Sequence, residues 1–348
     1  MDASKPQLPR RILIIRPSAL GDICRTVPVL ACLKRGYPYA AIDWMVQDSF
    51  AEAVGAHPNL RAVVPFARKR FANWWTPPVA RELAAWLWSL AAAEYDLVLD
   101  CQGLARSAIF TRATRAKRRV GYADAAELGW MALTDRVVAP KGELHTVERM
   151  LRLVEHLGVE VVRDMRLYVP ERDAEALTAD ELLRDARYAV VAPTSRWPGK
   201  RWPAERFAAV CERLLASGKV ERVVLVGGGS ERDQCGPLIE MAGRDDRVVD
   251  RIGSTSVGGL MALIARSELV IANDSAALHM AVGFDKPLVG LYGPTRVELV
   301  GPYRRERDVI QVLREGDRFD HKEEALGREM MSRITVERVM QKALGTGH

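Results

Sequence analysis

The sequence has no paired cysteine spacing, no membrane-length apolar run, and no low-complexity tract or short-period repeat. Each absence removes a class of protein. The five cysteines, Cys24, Cys32, Cys101, Cys211 and Cys235, are odd in number and scattered, so neither a disulfide framework nor a thiolate zinc site is expected. They read as small buried apolar residues in a reducing compartment. The opening MDASKPQLPRR carries an acid and leads directly into a strand-length apolar run, which is neither a secretory signal nor a membrane span. A cytoplasmic protein is expected. The turn after the first apolar run lacks the G-x-G-x-x-G of a dinucleotide site, and VLVGGGSERD lacks the G-K-S/T of a Walker loop. No acidic metal-ligand cluster of the D-x-D kind is evident, so no metal and no bound cofactor are expected.

What is present is ordinary globular composition: 348 residues, 48% hydrophobic and 28% charged, enough for two domains with their own cores. Lys and Arg number 51 against 45 Asp and Glu, a net charge of +6, which favours an anionic partner. Nucleic acid is not expected as that partner, because the basic and aromatic residues follow no recognisable module.

Apolar, β-branched runs alternate with helical stretches. RILIIRP, AAIDWMVQ, LRAVVPF, YDLVLDCQG, KRRVGYA and DRVVA read as strands, and PVARELAAWLWSLAAAE as a helix with Leu83, Trp86, Leu87 and Leu90 on one face. The pattern lapses in the charged stretch 168–187 and resumes with YAVVAPTS, RVVLVGGGS, DRVVD, ELVIANDS and KPLVGLYGPT. This predicts an α/β protein of two halves, 1–175 and 176–325, each a doubly wound parallel sheet, followed by a helical segment 326–348 packing back on the first half. A ligand is expected at the carboxyl ends of strands, in a cleft between domains.

Four stretches at such strand ends carry candidate chemistry. In IIRPSALGD, Ser18 and Asp22 either cap the following helix or present Asp22 as a general base toward a substrate hydroxyl; a helix N-terminus would keep that carboxylate ionised. In APTSRWPGKRWP, the hydroxyls of Thr194 and Ser195 with the Lys200 ammonium form a plausible diphosphate cradle. In VLVGGGSERD, the glycines give either a tight turn or a close approach to a ligand, and Glu231 is either a solvated acid or a partner for ribose hydroxyls. In IANDSAALHM, Asp274 and Ser275 either cap a helix or bind ligand, and His279 is either packed or functional.

In chain order, ILIIRPSALGDICRTVPVL, AAIDWMVQDSFAE, YDLVLDCQGLARSA, HTVERMLRLVEHLG, KRWPAERF, LVGGGSERD and NDSAALHMAVGFDKPLVGLYGPT resemble the ADP-heptose:lipopolysaccharide heptosyltransferases, family 9 of the glycosyltransferases. The resemblance implies a GT-B fold of two Rossmann-like domains facing each other across a cleft. It further implies inverting, metal-independent transfer of heptose from ADP-heptose to the lipopolysaccharide inner core. Position by position, Asp22 matches the base on the acceptor hydroxyl and Lys200 the lysine on the nucleotide phosphates. Thr194 and Ser195 match the adjacent hydroxyls, Glu231 the acid near the ribose, Asp274 the contact to the donor sugar and Ser275 the phosphate-side hydroxyl. His279 completes D-S-x-x-x-H. The family usually has Gly after this serine, where this chain has Ala276. Ser18, Arg70, Gln102, Arg106 and Arg119 are the residues expected to meet the acceptor. Basic residues including Arg68, Lys69, Arg115, Lys117 and Arg118 suit its carboxylates and phosphates or form a solvated face, and Phe71, Trp74 and Trp75 either pack or touch the inner membrane peripherally at its cytoplasmic face.

Overall fold

The computed structural model describes residues 8–345, and the chain divides into two compact units, residues 1–165 and 166–348. The division falls at 165 rather than the expected 175.

In the first unit, β1 (Arg11–Ile15), β2 (Ala41–Gln47), β3 (Ala62–Phe66), β4 (Leu97–Asp100), β5 (Arg118–Tyr122) and β6 (Asp135–Val137) alternate with α1 (Leu20–Gly36), α2 (Glu52–Gly55), α3 (Pro77–Ala92), α4 (Ala105–Ala113) and α5 (Thr146–His156). The strands pair in parallel in the order β3-β2-β1-β4-β5-β6. Ile12 to Ile15 are fully buried, because a central parallel strand is covered on both faces and therefore reads as a continuous apolar run. The expected face of α3 is the inward one: Leu90 is buried, and Trp86 lies 5.5 Å from the Phe66 ring and 5.2 Å from that of Phe110. The chain reverses its direction of travel across the sheet between β1 and β4, so the loops leaving these two neighbours diverge and open a crevice at their carboxyl ends.

The second unit repeats the plan. Its strands are β7 (Tyr188–Ala192), β8 (Arg222–Leu225), β9 (Val248–Asp250), β10 (Leu269–Asn273), β11 (Leu288–Tyr292) and β12 (Val309–Gln311), again all parallel, in the order β12-β11-β10-β7-β8-β9. The helices are α6 (Glu171–Thr178), α7 (Ala204–Ala216), α8 (Gly236–Ala242), α9 (Val257–Arg266), α10 (Ala276–Gly283), α11 (Val297–Val300), α12 (Glu324–Ser332) and α13 (Val336–Leu344). Here the reversal lies between β7 and β10.

Two features depart from expectation. The charged stretch 168–187 contains α6, which packs on α9 of the second unit. The C-terminal helices, expected against the first half, build the core of the second: Met331, Ile334, Val339 and Met340 join the cluster around Trp202 and Phe207. The Trp202 indole N–H donates to the Ile334 carbonyl at 3.0 Å. Gly199 and Gly327 permit this packing, since a Cβ on Gly327 would lie 2.2 Å from the Gly199 carbonyl oxygen. No side chain fits there without separating α12 from the turn 198–200.

Candidate functional site

The candidate residues gather at the two sheet reversals. In the first unit β1 ends and Arg16 follows it, buried. Helix α1 starts at Leu20 with Ala19 as its N-cap, so Ser18 lies outside the helix and does not cap it. Asp22, the third helical residue, reaches back to accept from the Ala19 N–H at 3.1 Å, satisfying one of the orphan donors of the first turn. The same carboxylate is 3.1 Å from Arg16 Nη2 and hydrogen-bonded by Arg25 Nη2. Its side chain remains 23% exposed, so an edge of it stays open to solvent.

Burial on its own pushes the Asp22 carboxyl up, but the Arg16 and Arg25 guanidiniums, helped by the Ala19 N–H, outweigh it and hold the carboxyl far below the usual carboxylate range. Capping the helix and keeping Asp22 ionised are therefore compatible, because the bond from the Ala19 N–H favours the charged carboxylate.

The neighbouring strand end supplies residues that sequence reasoning passed over. Arg16 Nη1 donates to the Cys101 carbonyl, tying the end of β1 to the end of β4. Asp100, buried, accepts from the N–H groups of Gln102 and Gly103 at 2.9 and 3.0 Å; burial pushes its carboxyl up, and these two bonds oppose that. Arg16 and Asp100 share one readable signal, a charged residue closing a fully apolar strand. Among the described residues, Arg16 Nε and Gln102 Oε1 are buried atoms without a hydrogen-bond partner, which makes this crevice ready for a polar ligand.

The other expected acceptor residues are dispersed. Arg106 is exposed on the first turn of α4, near Gln102 in the chain. Arg70 is exposed in the turn after β3 and paired with Glu82 at 2.7 Å. Arg119 is not at the crevice: it sits in the amino-terminal half of β5, level with Val98, and donates to the carbonyls of Ala116 and Ala132 at 2.5 and 2.7 Å. Its side chain ties a turn down, because a guanidinium emerging from the start of a strand meets the loop carbonyls at that rim.

In the second unit, the loops leaving β7 and β10 meet around one ion pair. Lys200 Nζ is 2.6 Å from Asp274 Oδ2, and the two side chains are only 15% and 11% exposed. Asn273, buried at the end of β10, holds the loops in register: its Nδ2 donates to the Pro193 carbonyl at 2.6 Å and its Oδ1 accepts from the Trp202 N–H at 3.2 Å. Thr194 and Ser195 are buried beside it. The Ser195 N–H donates to Gln234 Oε1 at 3.2 Å, and the Ser195 carbonyl accepts from Arg201 Nε at 2.8 Å.

The glycine cluster after β8 makes room for Thr194, since a Cβ on Gly227 would lie 2.8 Å from Thr194 Cγ2. Glu231 caps its own turn, accepting from the Gly228 N–H at 3.3 Å. Ser275 occupies the N-cap position of α10 without a side-chain capping bond, and its Oγ is buried and unpartnered among the described residues. His279 is buried on α10. Of the expected donor residues, Thr194, Ser195, Lys200, Asp274 and Ser275 thus collect at one reversal, with Glu231 on the adjoining strand end. Asn273, Arg201 and Gln234 were missed because their roles are bonds between loops far apart in sequence.

Among the described residues no group of three His, Cys, Asp or Glu is placed to hold a metal ion, and no helix is long and apolar enough to cross a membrane.

The model for glycosyltransferase family 9 (heptosyltransferase) matches residues 84–328. Lipopolysaccharide heptosyltransferase 1 of Pseudomonas aeruginosa is 30% identical over 301 residues, 85% of this chain and 82% of that protein. The Escherichia coli K12 protein of the same name is 26% identical over 312 residues, 88% of this chain and 94% of the relative. Among solved structures, the E. coli heptosyltransferase WaaC with ADP-2-deoxy-2-fluoro heptose superposes with a TM-score of 0.77 at 26% identity, covering 97% of this chain and all of that one.

Proposed function

This chain belongs to glycosyltransferase family 9 and is a glycosyltransferase of the GT-B fold, and from that premise we propose that it transfers heptose from ADP-L-glycero-D-manno-heptose, with inversion, to the lipopolysaccharide inner core. The acceptor is Kdo-lipid A or heptosyl-Kdo-lipid A. One observation carries this reading: the second unit concentrates a nearly buried ammonium, paired hydroxyls and a helix N-terminus at a single sheet reversal, a set suited to a sugar diphosphate. The relative solved with an ADP-heptose analogue supports the choice of donor.

In this mechanism the acceptor hydroxyl gives its proton to Asp22 as its oxygen attacks the anomeric carbon from the face opposite the diphosphate. The bond from that carbon to the diphosphate oxygen breaks, and ADP leaves with the electron pair. A carboxylate held so far below the usual range is a weak base toward a free hydroxyl, and it takes the proton late, once the oxygen has begun to bond to carbon. Lys200 and the amide N–H groups opening α10 offset the charge growing on the leaving oxygen, with no metal taking part.

The experiment is a panel of ADP-heptose against UDP- and GDP-sugars, with the two inner-core acceptors and a non-lipopolysaccharide glycan, each with and without EDTA. Transfer is expected from ADP-heptose alone and unchanged by EDTA. Turnover only with another nucleotide sugar or another acceptor removes the substrate assignment, and nucleotide binding without any turnover leaves a scaffold.

The same proposal places the enzyme in the cytoplasm, in peripheral contact with the inner membrane. Support comes from a mainly apolar groove of about 540 Å³ between α4 and the turn 129–132, where Ile109, Leu128 and Met131 are exposed. Arg106 and Arg112 lie on the same helix, and Arg115 and Arg136 stack on Trp88 and Trp130 rather than pairing with carboxylates. Exposed apolar side chains with Arg112 and Glu127 in the groove lining and further arginines on the neighbouring elements suit an anionic bilayer. Cosedimentation with vesicles containing phosphatidylglycerol is expected to exceed that with phosphatidylcholine alone, and Ile109→Asp with Arg112→Glu is expected to weaken it about tenfold. Equal binding to both vesicle types would remove this face from consideration.

A further inference from the structure

We propose that His321 is a further contact for the donor diphosphate, taking up a proton as the diphosphate arrives, so that donor binding is linked to pH. The inference rests on the donor assignment above and adds to it a residue outside every motif of the family resemblance.

The charge balance at the second reversal motivates it. Lys200 is already neutralised by Asp274 at 2.6 Å, so an incoming diphosphate with two negative charges meets a pair whose net charge is zero. Arg201 on the same turn donates to the carbonyls of Ser195 and Arg196, and the loop 312–323 brings a titratable group as a further source of positive charge. Its backbone lies on the turn 198–200: the His321 and Glu323 carbonyl oxygens are 3.2 and 3.3 Å from where a Gly199 Cβ would be. The approach of Gly327 to Gly199 fixes α12, which follows this loop, against the same turn. The His321 ring meets the Trp197 ring edge-on, with centroids 5.1 Å apart and planes at 79°. The imidazole is thus held beside the segment that carries Lys200, with its rotation limited by an aromatic neighbour.

The charged groups acting on His321 are Lys200 from the turn, Asp274 from the end of β10, and Asp320 and Lys322 from its own loop. Burial lowers the affinity of the ring for a proton first and the Lys200 ammonium lowers it further; the two aspartates oppose them without prevailing. His321 is therefore mainly neutral near pH 7 in the free protein. A diphosphate beside Lys200 opposes the effects of burial and of the ammonium, because its negative charge favours a proton on the imidazole. A group whose proton affinity rises on binding makes binding tighter as pH falls, and the proton returns to solvent when ADP departs.

The test uses the full chain with ADP-ribose and ADP-heptose, whose diesterified diphosphates keep their charge between pH 6 and 8. Calorimetry at pH 7 in buffers of different ionisation enthalpy is expected to show proton uptake on binding. Between pH 8 and pH 6 the wild type is expected to bind about tenfold more tightly, whereas His321→Gln is expected to vary by less than about twofold while retaining the wild-type melting temperature. Binding without proton uptake overturns the inference, and this measurement stands on the wild type alone should the variant fold poorly. The same pH slope in both proteins overturns it as well. Failure of the wild type to bind either ligand at any pH overturns the donor assignment, and the inference with it.

Discussion

Asp22→Asn is expected to lower kcat for glycosyl transfer by about 10²–10⁴-fold while leaving ADP affinity within about twofold of wild type. Asparagine keeps the size of the side chain and an oxygen able to accept from the Ala19 N–H, so α1 retains its start. What disappears is the negative charge proposed to receive the acceptor's proton, and the residues proposed to hold ADP belong to the other unit. The wild-type rate should show no acidic limb from Asp22 between pH 5 and 9, because the neighbouring arginines keep that carboxylate ionised throughout. A limb that vanishes in the variant would contradict the electrostatics described here. Equal turnover of the two proteins would remove Asp22 from the reaction.

The same substitution carries a stability signature whose sign is fixed. Asp22 titrates lower in the folded chain than in the unfolded one, so its contribution is fully present above the unfolded value, near 4, and is lost as pH falls toward the folded value. The deficit of Asp22→Asn in urea unfolding should therefore be largest at neutral pH and shrink below about pH 4. Arg16 and Arg25, left facing a neutral amide, are the source of that deficit.

How much of this was readable before any coordinates depends on the range of the interactions involved. Strands such as RILII and YAVVA declare themselves, because burial on both faces demands an unbroken apolar run. The three-residue edge strands β6 and β9 are legible in DRVVA and DRVVD, whereas β12, of the same length, passes unnoticed because VIQ lacks their paired valines. Helical spacing in the C-terminal segment was legible, but its destination was not: the bonds from Trp202 and Arg206 to the Ile334 carbonyl join residues more than a hundred positions apart. The same division runs through the site. Asp22, Lys200 and Asp274 stand in recognisable blocks at strand ends, whereas Asn273 and Arg16 act by fastening one loop to another. Arg119 was misplaced for a related reason: a basic residue at the start of a strand resembles one at its end in composition, yet a parallel sheet puts the two on opposite rims.

Lys200→Met should lower kcat by about 10²–10³-fold, the scale seen when one preorganised donor to a developing oxyanion is removed. The difficulty is that Lys200 has a second role, because Asp274 loses its 2.6 Å partner when the ammonium goes, and leaving one member of a largely buried ion pair unpaired costs about 3–5 kcal/mol. A drop in activity could then reflect a disturbed loop rather than a lost charge. The double variant Lys200→Met with Asp274→Asn separates the two: the amide needs no counter-ion and can be held by neighbouring backbone, so stability should return toward wild type. If Lys200 acts on the leaving diphosphate, the double variant regains its melting temperature while its rate stays at or below that of Lys200→Met. Recovery of rate along with stability would mean that the lysine serves only to hold Asp274 in place. Contacting groups are coupled by about 0.5–3 kcal/mol, so comparing the two cycles, one in unfolding free energy and one in ln kcat, resolves the roles. A large coupling in the first and a small one in the second is the expected pattern, since in the proposed mechanism the ion pair organises the resting site and, of its two members, only the ammonium faces the charge that appears as the bond to the diphosphate breaks.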